Sequence, residues 1–379
     1  MYSSADSSKS PALDIKQINR SHIYSLLRQT GAQSRRSIAR LLDLSLPTVV
    51  QNLLQMQQEG LVRESGQQTN ARGRHAKTYS IVSDARVAIG LDITKYRVSA
   101  VAVDLQGHIM KVIRQNIAFS YTDAYYMQVG SIVSRLMEEA SLNPDQVLGV
   151  GISLPGLISG DGSSSYYCKV LGEDGISRQG FEKYIPFPVK LHHDVAAAAF
   201  AESWQDEANS SFFYVMLSYS IGGAVFLNGS VYAGENNRSG EIGHLQLVEN
   251  GKLCYCGRRG CADPYCSSKP LVELTGGDLP AFFELLEQND RNAIQIWDDY
   301  LHSLARMIHN LRMLFDCRIV LGGYVGEQID PSISQIQDIV KDLNPFSDDS
   351  DYLTVCRVKN EASAVGAALH YIDCFVSSI

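Results

Sequence analysis

Between residues 244 and 261 the chain gathers one imidazole and three thiols, His244, Cys254, Cys256 and Cys261, among glycines and the basic pair Arg258 and Arg259. One imidazole nitrogen and three thiolates make a complete tetrahedral ligand set for Zn2+. A site with all four positions filled by protein is structural, because no position is left for a substrate. A disulfide is disfavoured, since a single residue separates Cys254 from Cys256. The other reading is a cluster of buried thiols in a tight turn, with Cys266 just downstream.

A second set of groups is acidic. Asp194 follows a short apolar strand expected over 189–192 and precedes the alanine-rich run AAAAFAESW, a helix of small side chains able to pack close to a neighbour. Glu241 stands three residues before His244. Asp194 could do no more than cap the helix that follows it, and Glu241 could be an ordinary surface carboxylate.

A third set faces a different chemistry. Ser45 can cap a helix running to about Gln58. On one side fall Leu46, Val49, Leu53 and Met56. On the other fall Thr48, Gln51, Asn52 and Gln55, at helical spacing. Uncharged amides and hydroxyls suit base edges in a DNA major groove. Two helices precede it, over 15–29 with a stripe of Ile18, Ile23, Leu26 and Leu27, and over 35–42 with Ser34 as cap and Ile38, Leu41 and Leu42 inward. Two strands follow, 61–64 and 78–82, joined by a loop that carries Arg72, Arg74, His75 and Lys77. Arginine on such a hairpin can enter a narrow minor groove. The pattern is a winged helix-turn-helix. Thr48, Gln51 and Asn52 are expected to read sequence, while Arg35, Arg36, Arg72 and Arg74 hold phosphates or the minor groove. A three-helix protein-interaction module with a solvated loop is the competing reading.

Charge agrees with a nucleic-acid partner for the head. Residues 1–80 carry 11 Lys+Arg against 5 Asp+Glu, a net of +6, on a chain whose total is −8. The 379 residues suffice for two or three domains. No apolar run is long enough to span a membrane. The opening MYSSADSSKS lacks the apolar core of a signal peptide, so the cytoplasm is the expected compartment. The expected division is a disordered tail over 1–14, a DNA-binding domain over 15–84 and an α/β body over 85–379.

In the body, VAIGLDI and VSAVAVD read as strands joined by a tight connection at 94–97. A helix follows over 124–142, then the strand VLGVGISLPG. FFYVMLSYSIGGAVFLNG reads as a hairpin turning at 221–223. A helical region spans 280–315, CRIVLGG is a strand, and EASAVGAALHYI a last helix. Strand pairs followed by helices, occurring twice, imply two lobes with a cleft between them.

At this point the chain resembles the ROK family of sugar kinases and sugar-responsive repressors. The likeness rests on GENNRSGEIGHLQL with CYCGRRGCADPYCS, on GVGISLPGLI, on HHDVAAAAFAE and on IVLGGYVG. The head resembles the DNA-binding domain of the family's xylose and N-acetylglucosamine repressor type. The resemblance implies a duplicated actin-like, hexokinase-like body with sugar in its cleft. It implies that Asp194 stands where the kinases keep their base, and that Glu241 and His244 hydrogen-bond sugar hydroxyls, His244 serving zinc as well. Asp263 falls at a usual sugar-binding Glu, and His193 at a usual Asn.

The phosphate turns depart from the kinase pattern. The first, usually Asp-x-Gly-Gly-Thr, is Asp92-Ile93-Thr94-Lys95-Tyr96 here. The second is Ser218-Tyr219-Ser220-Ile221-Gly222-Gly223. Glycine at such turns lets backbone N–H groups approach a phosphate. Side chains now occupy both. The expected function is therefore a sugar-responsive repressor of carbohydrate-utilisation genes, without catalysis. Its partners would be double-stranded operator DNA and a sugar effector. A homodimer is expected, with a tetramer as the alternative state. The competing function is an ATP-dependent sugar kinase with a DNA-binding appendage.

Overall fold

A computed structural model describes residues 11–69, 75–204, 211–346, 350–359 and 361–379. The head opens with α1 (Pro11–Thr30), followed by β1 (Gln33–Ser34), α2 (Arg35–Leu41), α3 (Leu46–Gln58), β2 (Val62–Thr69) and β3 (His75–Ile81). Both anticipated caps are made: the Ser37 N–H donates to Ser34 Oγ and the Thr48 N–H to Ser45 Oγ, each at 3.2 Å. The strands form a small antiparallel sheet in the order β1-β3-β2. Helix α1 begins at Pro11, inside the stretch expected to be a disordered tail; residues 1–10 lie outside the described residues.

Three anticipated core positions are exposed. Ile18 is about 140° around the helix from Ile23 at 3.6 residues per turn, and the buried face is set by Ile23, Tyr24 and Leu27. Leu41 and Leu46 flank the turn between α2 and α3, beyond the reach of the head's core, and both stay exposed.

The body holds two five-stranded sheets of one topology. The first lobe contains β4 (Val87–Ile93), β5 (Arg97–Asp104), β6 (Ile109–Asn116), α4 (Asp123–Glu139), β7 (Val147–Leu154), β8 (Leu157–Ile158), β9 (Ser165–Tyr167), α5 (Arg178–Glu182), β10 (Val189–His193) and α6 (Asp194–Trp204). The second contains β11 (Phe212–Leu217), β12 (Ile221–Leu227), β13 (Ser230–Tyr232), α7 (Asp263–Cys266), α8 (Lys269–Val272), α9 (Leu279–Glu287), α10 (Arg291–Phe315), β14 (Arg318–Gly322), α11 (Gly323–Ile329), α12 (Ile333–Leu343) and β15 (Leu353–Val355). Helix α13 (Ala362–Ser378) closes the chain. The first sheet runs β10-β7-β4-β5-β6 and the second β13-β12-β11-β14-β15. In each, an antiparallel meander of three strands adds two parallel ones beside its first strand. That is the duplicated α/β architecture anticipated from the sequence.

Local details differ. The second hairpin turns at residues 218–220, and Ile221, Gly222 and Gly223 pair along β12. The 280–315 region is two helices, broken where Asn289 takes φ +59° and the Asp290 carboxylate caps α10. Strand β6 is absent from the expected pattern, because at the sheet edge only half of its residues are exposed and its sequence mixes apolar and polar types without regular alternation.

Helices α6 and α13 lock the lobes together. A Cβ on Gly366 would collide with the Ala197 carbonyl, so the two helices touch backbone to backbone. The head shares this packing. Ile23, Tyr24 and Leu27 of α1 lie in one core with Val101, Val103, Leu369 and Ile372. The Arg28 guanidinium stacks 4.3 Å above the Trp204 ring, and Gln17 Nε2 donates to the Ser378 carbonyl at 2.9 Å. Apolar contact thus runs unbroken across the anticipated boundary at 84–85. Among the described residues no helix is long and apolar enough to cross a membrane.

Candidate functional site

A cleft of about 1130 Å³ opens where strands of both lobes end. Its wall takes residues 94–97 after β4, 155–157 after β7, His193 and Asp194 at the β10–α6 junction, and 218–222 at the β11–β12 turn. The carboxyl ends of parallel strands are the usual place for ligands in such sheets.

Asp194 is the first residue of α6, its Oδ1 3.4 Å from His193 Nε2 and accepting from the Val195 N–H at 2.8 Å. Burial, followed by the nearby Asp92 carboxylate, pushes its carboxyl up to about 8. Burial also lowers His193. Near neutrality Asp194 is therefore largely a protonated acid that can donate as well as accept. Asp92 is raised by burial against the Ser153 hydroxyl, which donates to it at 2.7 Å.

The sign of the stability effect follows. A carboxyl raised above its unfolded value near 3.9 favours the fold fully at low pH, and that contribution is lost as pH rises through about 8. Asp194→Asn copies the neutral acid. Its Tm advantage over wild type should be smallest near pH 4, grow by about 2 °C or more as pH rises from about 5 to 8, and level off above that. Parallel melting curves across that range, read by scanning fluorimetry, would contradict this electrostatic picture.

Glu241 reaches the cleft from a loop pinned to β12. Gly240 adopts φ +84°, and a Cβ there would strike the Gly223 backbone. Gly223, kept from the second phosphate turn, thus serves this close packing, while Gly222 faces the Val195 side chain. At the first turn the Thr94 hydroxyl and the Arg97 backbone close the loop, while Lys95 Nζ lies 5.4 Å from the exposed Tyr96 ring. Tyr219 occupies the tip of the second turn and is also exposed.

Two anticipated sugar contacts are placed elsewhere. Asp263 is 1 % exposed and does not line the cleft. Its Oδ1 accepts from the Ile221 N–H at 3.1 Å and its Oδ2 from Lys269 Nζ at 2.8 Å. Both oxygens are already occupied, and the shorter side chain stays below the surface. His244 does not line the cleft either. Its Nδ1 faces Cys254 Sγ at 3.9 Å and its Nε2 the Tyr255 hydroxyl at 3.3 Å. Tyr255 stands where the imidazole was expected to meet ligand.

The four anticipated metal ligands do converge. The donor atoms of His244, Cys254, Cys256 and Cys261 all lie within 4.8 Å of one another, and Cys256 Sγ is 3.8 Å from Cys261 Sγ. Tetrahedral corners at metal–sulfur bonds of about 2.3 Å are about 3.8 Å apart. The cluster therefore has the spacing to hold a metal ion. Cys266 is fully buried beside Tyr300 and stays out of it.

In the head, Gln51 is exposed and Thr48 half-buried, its hydroxyl 2.8 Å from Ser45 Oγ. Asn52 departs from the anticipated reading face. It is 2 % exposed, and its Nδ2 donates to the Thr48 carbonyl at 2.8 Å. Arg36 is exposed, whereas Arg35 stacks 5.0 Å over the Tyr79 ring. Arg72 and Arg74 lie outside the described residues.

Tyr255, Tyr219 and Tyr167 line the cleft, and Lys269 sits against the first two. Sequence reading had no cue for Tyr255 as a wall residue, because it is flanked by two metal ligands and its direction depends on how their loop folds.

Comparison with known proteins fits this geometry. The model describing the ROK family matches residues 88–373. The xylose repressor of Bacillus subtilis (strain 168) is 24% identical over 297 residues, covering 76% of this chain and 77% of that protein. A solved ROK family transcriptional regulator, a homolog of the E. coli MLC protein, superposes with a TM-score of 0.74 at 19% identity, covering 96% of this chain and 97% of the other. A ROK family glucokinase from Streptomyces griseus, solved with glucose and AMPPNP, superposes with a TM-score of 0.64 at 20% identity and covers 75% of this chain and 98% of its own. At such identities these likenesses speak for the fold. The regulator's fold extends over nearly the whole chain, the kinase's over three quarters of it.

Proposed function

Because the chain belongs to the ROK family, we propose that it is a transcriptional regulator whose cleft binds a sugar and whose head binds operator DNA, without phosphoryl transfer. One observation carries this reading. The cleft keeps Asp194 and Glu241 for hydroxyl groups, while Lys95, Tyr96 and Tyr219 occupy both turns that would cradle a triphosphate. Phosphoryl transfer depends on positioning those phosphates. The repressor relative supports a DNA-binding role. The proposed domains are a DNA-binding head over 15–84 and a sugar-binding body over 85–379, sharing the core described above.

Sugar hydroxyls would meet the Glu241 carboxylate, the Asp194 carboxyl and the His193 ring, each partly open to the cleft. In the head, Gln51 and Thr48 would read bases, and Arg35, Arg36, Arg72 and Arg74 would hold phosphates. Asn52 supports the reading helix from within. The donor set and its spacing favour Zn2+ at His244, Cys254, Cys256 and Cys261. That ion would cross-link the 245–261 loop and fix the His244 ring, and so Tyr255.

Helix α6 supplies the connection between the two ends. It starts at Asp194 in the cleft and ends at Trp204, on which Arg28 of the head is stacked. A sugar that draws the lobes together would tilt α6 and α1 as one body. Two heads in a homodimer would then match or miss their half-sites.

Titration calorimetry against a saccharide panel, with a coupled ADP-release assay on the same samples, tests the cleft. Binding of at least one sugar is expected, weakened about 10- to 100-fold by Glu241→Ala through loss of charged hydrogen bonds, with no ATP-dependent phosphorylation. Turnover at an enzyme-like rate would overturn the reading.

A further inference from the structure

We propose that Tyr219, Lys269 and Tyr255 form an aromatic subsite for a second sugar unit, so that the effector is an oligosaccharide of two or more residues. The inference rests on the sugar reading of the same cleft and names the ligand class.

Size is the first observation. The cleft measures about 1130 Å³, just above the range of roughly 300–1,000 Å³ that holds drug-sized ligands. One hexose, with roughly a dozen non-hydrogen atoms, fills a small part of it. Side chains at both phosphate turns argue against a nucleotide in the rest.

The second observation is how the two rings are held. Lys269 Nζ lies 5.0 Å from the Tyr219 ring centroid and 5.0 Å from that of Tyr255. The ammonium is itself fixed by the buried Asp263 carboxylate at 2.8 Å, and Asp263 also accepts from the Ile221 N–H beside Tyr219. The Tyr255 hydroxyl is anchored 3.3 Å from His244 Nε2. Both rings are thus backed by one immobile cation, yet remain 47 % and 46 % exposed. Cation–π contact of this kind adds rigidity.

Chemistry then selects the ligand. Rigid tyrosines offer apolar ring faces and a polar tip at small entropic cost. A pyranose matches that surface with an apolar C–H face and a rim of hydroxyls. Lys269 is neutralised by Asp263, so the pair offers no net charge to a phosphate. Glu241 and Asp194 line the same cleft as Tyr219 and Tyr255. A first unit on Glu241 and Asp194 therefore leads its neighbour toward the rings.

The test is calorimetry on the intact protein with matched pairs: glucose with cellobiose and maltose, xylose with xylobiose, N-acetylglucosamine with its β-1,4 dimer, and galactose with lactose. ADP is titrated alongside. At least one disaccharide should bind about tenfold or more tighter than its component monosaccharide. Tyr219→Ala and Tyr255→Ala should each shrink that ratio at least about fivefold, and Tyr255→Phe, which keeps the ring, should retain most of it. Tyr219 lies on an exposed turn, so its truncation leaves the fold intact. Monosaccharides binding as tightly as their dimers, a ratio unaffected by either alanine, or ADP displacing the disaccharide would each overturn the inference while leaving a sugar effector in place. Failure of every saccharide to bind would sink the sugar reading and this inference with it.

Discussion

Cys256→Ser is expected to cost the protein its metal, lower its Tm by about 5 °C or more, and abolish the response to sugar before it alters contact with DNA. Residues 245–262 contain neither helix nor strand, only the isolated bridges Gln246 with Cys261 and Leu253 with Arg259. Gly257 and Gly260 adopt positive φ, and Tyr255 and Leu253 are exposed, so little apolar burial holds the loop. Four ligands sharing the proposed ion would replace that missing core. Structural zinc contributes about 10–16 kcal/mol of apparent binding energy in small domains, and serine is a poor substitute for a thiolate. Each kcal/mol lost lowers Tm by about 2–4 °C even in large domains. Tyr255 hangs on this loop, so saccharide affinity should fall with the metal. The proposed reading helix α3 packs against α1, α2 and β2 of the head rather than against this loop, so DNA affinity without sugar should change less than about threefold. Metal analysis, melting curves and calorimetry check this together. Freshly purified wild-type protein free of zinc, or a variant that responds normally to sugar, would contradict it.

Neighbouring residues Gln51 and Asn52 should fail in opposite ways. Gln51→Ala removes an exposed amide from the proposed reading face. Loss of a bidentate base contact costs about 1–3 kcal/mol, or roughly 5- to 150-fold in specific affinity, with relaxed preference at one base pair. Its Tm should stay within about 1 °C of wild type. Asn52 is buried and bonded to the Thr48 carbonyl. Asn52→Ala should therefore shift Tm and leave base preference intact. Binding-site selection from random DNA with each variant, alongside melting curves, decides the matter. Swapped outcomes would show that the helix presents a different face to the groove.

The contrast between these two residues shows how far sequence could be read. Features decided within a few residues were legible: the caps at Ser34 and Ser45, the converging ligands at 244–261, and the duplicated pattern of strands. Helical spacing placed Asn52 among polar neighbours, but burial beside Leu53 and Met56 was settled by how α3 packs. Asp263 looked like a ligand contact from its motif position, and only its partners across the fold, Ile221 and Lys269, show both oxygens engaged. Tyr219 and Tyr255 come together from loops 36 residues apart around a lysine that neither motif contains. No local pattern encodes such an arrangement. The junction at 84–85 was drawn from a change of composition, and composition does not register that Tyr24 and Leu27 bury themselves against Leu369 and Ile372.

Coupling between cleft and head is measured most directly by fluorescence anisotropy of labelled DNA, selected from a random pool by the sugar-free protein, titrated with protein in the presence and absence of each saccharide that binds by calorimetry. At least a tenfold change in DNA affinity is expected, about 1.4 kcal/mol of coupling. The same change should vanish in Glu241→Ala. Unaltered DNA affinity with a bound saccharide saturating the cleft would contradict the account at its centre.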